Sequence, residues 1–147
     1  MKGARKVILG AGMGALLVSS VSADEPRRLT AQYYYDRALT AEMVLLDAIR
    51  ANKPRRILTL YNALVDEIDI LAGPRVSSDS SGMCAFLMHA LAAVTLTTYG
   101  HMERRAQSTA MANGAWTKYR EVVSRCERQP GVVVFDRKLP ENLSEVF

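Results

Sequence analysis

Two cysteines, Cys84 and Cys126, stand 42 positions apart in a stretch from Gly82 to Arg128 that also holds the chain's single Trp, and that spacing limits what the chain can fold into. Apolar or small residues recur at Cys84, Met88, Leu91, Thr95, Thr98, Met102, Ala106, Thr109, Asn113, Trp116, Tyr119, Val123 and Cys126. Steps of three and four describe one side of a helix. On one unbroken helix the cysteines would lie roughly 63 Å apart, whereas a disulfide needs Cα atoms about 4.4 to 6.8 Å apart. A single long helix and an intramolecular bridge therefore exclude one another. The sequence offers a turn at Gly100, at Ser108-Thr109 or at Asn113-Gly114. Equal arms would meet near Arg105, which favours Gly100 or Ser108. The spacing predicts an antiparallel helical hairpin stapled by Cys84 and Cys126, with Ser108 able to cap the second arm.

The redox state of that pair depends on compartment. Residues 1–23 follow the plan of a secretory signal: Lys2, Arg5 and Lys6, an apolar run from Val7 to Val18, then Val21-Ser22-Ala23 with cleavage expected near Ala23. The run is short and carries Gly10, Gly12 and Gly14, which argues against a retained membrane anchor. No other segment reads as a long uninterrupted apolar span, so no stable membrane span is expected after cleavage. Export to a periplasmic or extracellular space favours a disulfide. An intermolecular bridge and a pair of reactive thiols are the other readings, but no C-x-x-C or cysteine–histidine spacing points to reactivity.

Removal of the signal takes three basic residues and no acidic ones, leaving 16 Lys and Arg against 15 Asp and Glu where the full chain has a formal charge of +4. A nearly neutral chain has no large field with which to hold phosphate backbones, so nucleic acid is not an expected partner. The remaining 124 residues suit one domain with one core.

Along the chain, Thr30 is placed to cap a helix over 31–51, burying Tyr35, Leu39, Met43, Leu46 and Ile49. Asn52-Lys53-Pro54 separates it from a second helix over 54–72, since Pro suits the first helical position. That helix is expected to bury Ile57, Tyr61, Leu64, Ile68 and Leu71, and Gly73-Pro74 stops it. Arg75 to Ser81 reads as an exposed crossing loop. Two further helices follow over 82–105 and 109–127. After the Pro130-Gly131 turn signal, Val132 to Phe135 is a β-branched apolar run with no second strand to pair with. It is expected either to lie extended along the bundle or to pair with a partner chain at an exposed edge. Leu143 and Phe147 are candidate anchors for the tail, 130–147. The predicted fold is all-α: a small, mostly antiparallel four-helix bundle with a disulfide-stapled hairpin and an extended C-terminal tail.

Chemistry-bearing residues are sparse. His89 and His101, twelve positions apart, point about 120° away from each other on one helix, so no metal site is expected. Haem lacks an attachment motif, and the seven Met read as core filler, so no cofactor is expected. Asp66, Glu67 and Asp69 could supply paired carboxylates to a hydrolase, but the pattern reads as a solvated helix face. Serines 77, 78, 80 and 81 lack a nucleophile context, and no catalytic residue is assigned. Tyr33-Tyr34-Tyr35 spans about 200° of a helix, so at least one ring should be partly exposed. Tyr33 and Tyr34, with Arg104 and Arg105, are the candidate partner-binding residues, because Tyr and Arg carry much interface energy. The expectation is an exported, non-enzymatic protein that binds another protein: an inhibitor, an immunity-type factor or an envelope assembly accessory. Its partner would be another envelope or exported protein, with a homodimer left open. The alternatives are a carrier of a small apolar ligand in the bundle core and a carboxylate-dependent hydrolase.

Overall fold

A computed structural model describes residues 27–72, 76–77, 82–103 and 108–147. The expected signal segment, most of the 75–81 loop, and Arg104 and Arg105 lie outside the described residues. Four helices form the body: α1, Ala31–Arg50; α2, Pro54–Leu71; α3, Leu87–Met102; and α4, Thr109–Glu127. All-α architecture follows, and each boundary has a local cause. The Thr30 hydroxyl accepts the Tyr33 amide at 3.1 Å, and the Ser108 hydroxyl accepts that of Met111 at 3.3 Å. Each satisfies an N–H that the first turn of a helix leaves unpaired. Pro54 opens α2, and Asn52, at φ 49°, supplies the left-handed residue that reverses the chain before it.

Residues Gly82–Phe86 form a tight 3-10 turn instead of continuing the α-helix predicted over 82–105. Such turns are common at helix starts. Gly100 lies within α3 and Gly114 within α4, so the hairpin reverses between Met102 and Thr109, with Ser108 as the cap. Cys84 and Cys126 are bonded, their Cα atoms 4.8 Å apart. At the other end of the hairpin the Thr109 hydroxyl lies 3.4 Å from a ring nitrogen of His101. Arg27–Arg28 pairs in parallel with Val76–Ser77 for two residues, ahead of the buried Leu29.

Helix α3 touches all three of the others. Leu87, Met88, Leu91, Val94, Thr95 and Thr98 are buried along it, which explains its apolar character. By length and composition the stretch Gly82–Met102 could cross a membrane; here Leu87, Met88, Leu91 and Val94 are core, while Phe86 and Leu96 are exposed. From α4, Trp116, Tyr119, Val123 and Cys126 complete that core, as their spacing predicted. In α2 only Ile57 and Leu64 are fully buried, with Tyr61, Ile68 and Leu71 packed at the edge.

Helix α1 departs from its predicted face. Tyr35, Leu46 and Ile49 are buried and Leu39 partly so, but Met43 is 69% exposed. The buried stripe instead runs through Ala38, Ala41, Glu42, Leu45 and Ala48. Alanines let neighbouring elements approach closely, and Glu42 is drawn inside by polar partners from distant parts of the chain.

Candidate functional site

The C-terminal tail is the least ordinary part of the molecule. After α4 the chain reverses at Gly131, whose φ of 81° is the left-handed conformation that glycine adopts without penalty. The tail then runs back along α1 and α4. The Val133 amide donates to Gln32 Oε1 at 2.6 Å, while the Gln32 side-chain amide donates to the Val133 carbonyl at 3.4 Å. A glutamine side chain thus stands where a neighbouring strand's peptide group would be. Two residues on, the Phe135 amide donates to the Tyr35 hydroxyl at 3.3 Å. Another two residues on, Arg137 bonds Glu42. Between Gln32 and Glu42, α1 rises about 15 Å, and four tail residues cover at most about 13 Å before the Arg side chain adds its reach. The tail is therefore extended where it crosses α1.

Glu42 sits at the centre of the clamp. Its side chain is 1% exposed, and Arg137 meets it with two bonds, Nε to Oε1 at 3.0 Å and Nη2 to Oε2 at 3.1 Å. The Tyr119 hydroxyl donates to Glu42 Oε2 at 2.8 Å. Arg137 Nη1 donates to the Tyr35 hydroxyl at 2.9 Å, and that hydroxyl donates to Glu127 Oε1 at 2.8 Å. Paired Arg–carboxylate forks are the strong, directional end of the hydrogen-bond range. Burial works against the charge on Arg137, but its bonds to Glu42 and their attraction hold the guanidinium above its usual range. Burial first, and Glu42 beside it second, push the Tyr119 hydroxyl well above the ordinary tyrosine value. Tyr35 is raised too, by burial and then by Glu127, against the lowering pull of the Phe135 amide and Arg137. These shifts keep the Arg137 guanidinium charged and both phenols neutral.

A second anchorage holds the far end of the tail. Trp116 Nε1 donates to the Pro140 carbonyl at 2.9 Å, and Asn113 Oδ1 accepts the Leu143 amide at 2.9 Å. Leu143 is fully buried, as expected of an anchor. Phe147 is 43% exposed and rests its ring 4.6 Å from that of His101.

Between these anchorages Val133, Val134 and Phe135 are 76%, 51% and 69% exposed. In extended chain, successive backbone N–H and C=O groups point to opposite sides. Val133 and Phe135 turn theirs toward α1, so Val134 faces away. Among the described residues neither its N–H nor its carbonyl has a partner. The result is a short, extended, apolar run with one side of its backbone bonded to α1 and the other, at Val134, without a partner among the described residues.

The tyrosine run does not form such a surface. Tyr34 is 4% exposed and lines a cleft of about 150 Å³ with Ile68, Leu71, Met88 and His89. Its hydroxyl is raised above the ordinary value by that burial and by Tyr33. Tyr34 is thus withdrawn from the partner-binding role expected of it, because α1 turns this face toward α2 and α3. Tyr33 remains half-buried, its ring edge-on to Tyr34 at 5.8 Å and its hydroxyl 3.4 Å from Glu67. The cleft is smaller than the roughly 300 to 1,000 Å³ usual for small-molecule sites.

Glu67 is taken up by Arg37, which donates from Nε at 2.7 Å and also through Nη2. Asp66 and Asp69 are exposed and do not join it in a pair. His89 and His101 stay apart, and among the described residues no group of three His, Cys, Asp or Glu side chains is placed to hold a metal. The clamp escaped sequence reasoning because Glu42 and Arg137 lie 95 residues apart. The one available signal was a Glu within the Ala38, Ala41, Leu45, Ala48 stripe. No protein-family model, curated protein or solved structure matches this chain.

Proposed function

We propose that this is an exported protein that acts by binding another protein, in the manner of an inhibitor, an immunity-type factor or an envelope assembly accessory, and that it does so through the outer edge of its tail. The observation that carries this reading is the exposed run Val133 to Phe135, held in place from beneath by Gln32, Tyr35 and the Glu42–Arg137 pair. Three large apolar side chains in water are unfavourable for an isolated chain, and exposed apolar patches mark interaction sites. Unpaired strand edges likewise accept further strands. The signal-like residues 1–23 and the disulfide support export, and a periplasmic location is part of this proposal.

The reading is tested with a photo-activated cross-linking residue at Phe135 in the full chain, expressed in its own cells, and the same residue at the exposed Met43 as control. The expected result is one protein adduct of defined mass from position 135 that is absent from position 43. Identical adducts from both positions, or none from 135, would contradict it. A small-molecule adduct in the native mass spectrum of the isolated protein would instead favour the carrier.

A further inference from the structure

The tail edge does not stand alone. Beside it, a groove of about 410 Å³ runs between α4 and the tail, and it adjoins a second hollow of about 350 Å³ on α4; both share Arg120 and Ser124. Val134 and Phe135 line this groove together with Val123 and Ser124 of α4, and the unpaired groups of Val134 face away from Gln32 and Tyr35. The groove's charge is uneven. Arg120, Arg125, Arg128 and Lys138 line the two hollows, and among the described residues none of them forms an ion pair. Glu127 and Arg137 are engaged with each other at 3.4 Å. Among the described residues, Glu121 and Asp136 are then the acids lining the hollows without an ion pair, against four such cations, of which Arg120 donates to the Glu141 carbonyl and Arg128 to the Ser124 hydroxyl, each from one guanidinium nitrogen.

We propose that this groove takes an extended acidic segment of the partner, added as a strand to the edge at Val134, with its carboxylates over Arg120, Arg125, Arg128 and Lys138. The inference rests on the reading of the tail as a protein-binding edge and names the chemistry that edge recognises. Backbone pairing at Val134 gives the segment its direction and register, and apolar side chains of the segment cover Val134 and Phe135. Its acidic residues meet the cations, which steers encounter and excludes basic segments.

The test uses the oxidised full chain and three synthetic ten-residue peptides: alternating Val and Thr between Glu-rich ends, a twin with Lys for every Glu, and a twin of the acidic peptide N-methylated at alternate amides. Backbone amide resonances are followed during titration. The acidic peptide is expected to shift Val134, Asp136, Arg125 and Arg128 and to leave α2 unmoved. The Lys twin and the methylated twin are expected to bind at least ten-fold more weakly. The exposed double variant Arg125→Glu/Arg128→Glu should lose ten-fold in affinity for the acidic peptide, with only a small fall in thermal midpoint from the reversed charge at the end of α4. The peptide twins test the idea even if that variant fails to fold. No shift at millimolar acidic peptide, or an equal response to the Lys twin, overturns it. Binding of vesicles rich in anionic lipid through the same arginines, without a peptide response, overturns it in favour of a membrane surface. A partner cross-linked at Phe135 with no acidic-peptide response removes this inference and leaves the binding reading intact.

Discussion

The α3–α4 hairpin and the seam where the tail crosses α1 and α4 are held by opposite means. In the hairpin, Leu87, Leu91, Val94 and Trp116 are fully buried, and the Cys84–Cys126 bond closes the base. Apolar burial alone gives those residues a reason to stay. In the seam Val133, Val134 and Phe135 face outward, so burial gives them none. Directional bonds replace it: Gln32 on Val133, Tyr35 on Phe135, and Glu42 with Tyr119 on Arg137. Buried ion pairs add little net stability compared with apolar packing, but breaking one is costly, and they select one arrangement. The difference teaches that a protein can keep an apolar edge in water if the polar bonds beneath it leave the chain nowhere else to go.

The largest effect is expected at the hairpin. Replacing both cysteines by alanine frees a loop of about 43 residues, which the chain-entropy model values at roughly 4 kcal/mol. Denaturant unfolding of the double variant should show that loss across the whole bundle. In the seam, Arg137→Met should cost about 3 kcal/mol, because it strands the buried Glu42 carboxylate. Adding Glu42→Gln should recover part of it, so that the pair costs less than the sum of the singles. Additive losses in that cycle would mean the two residues act independently.

A smaller effect separates the regions by pH. Tyr119 keeps its proton in the folded state where the unfolded chain would lose it, because burial and Glu42 raise it. The stability tied to that proton is therefore full below about pH 10 and is lost as pH rises further. Tyr34 and Tyr35 are raised as well and add to the same alkaline limb. Stability should fall as pH rises above about 10, and Tyr119→Phe should make that fall shallower. An unchanged slope in the variant would place the alkaline sensitivity elsewhere.

The smallest effect has the opposite sign. The Thr98 hydroxyl, buried in α3, is the one buried side-chain polar atom among the described residues without a hydrogen-bond partner. Thr98→Val removes an unsatisfied group at nearly constant shape, and should stabilise the hairpin by up to about 1 kcal/mol. The same kind of change in the seam, Tyr119→Phe, removes a satisfied hydroxyl and should destabilise. Thermal midpoints moving in the same direction for both would erase the distinction drawn between the two regions.

The hairpin was legible in the sequence and the seam was not, for one physical reason. Helix periodicity, capping by Thr30 and Ser108, the Pro54 start and the cysteine spacing all act over a few residues or along one helix, so they leave a pattern in the chain. The Glu42–Arg137 pair acts across most of its length and leaves none. That is why Met43, a large apolar residue, was expected inside and its neighbour Glu42 was not. Tyr34 misled in a related way: three consecutive aromatics announce that not all can be buried on one face, but not which ring stays outside. The tail was partly legible. Its β-branched run and lack of a pairing strand left two dispositions open, along the bundle or paired with a partner chain, and nothing in the sequence marks Gln32 as its neighbour.

The central claim is that residues 133–135 are held extended, with one side of the backbone bonded and the other free. Amide hydrogen exchange of the oxidised protein, read residue by residue, tests it most directly. Val133 and Phe135 should be protected and Val134 between them should exchange at nearly the unfolded rate, with Arg137→Met abolishing protection at 133 and 135 while Leu91 and Val123 keep theirs. Equal exchange at all three tail amides, whether fast or slow, would contradict it.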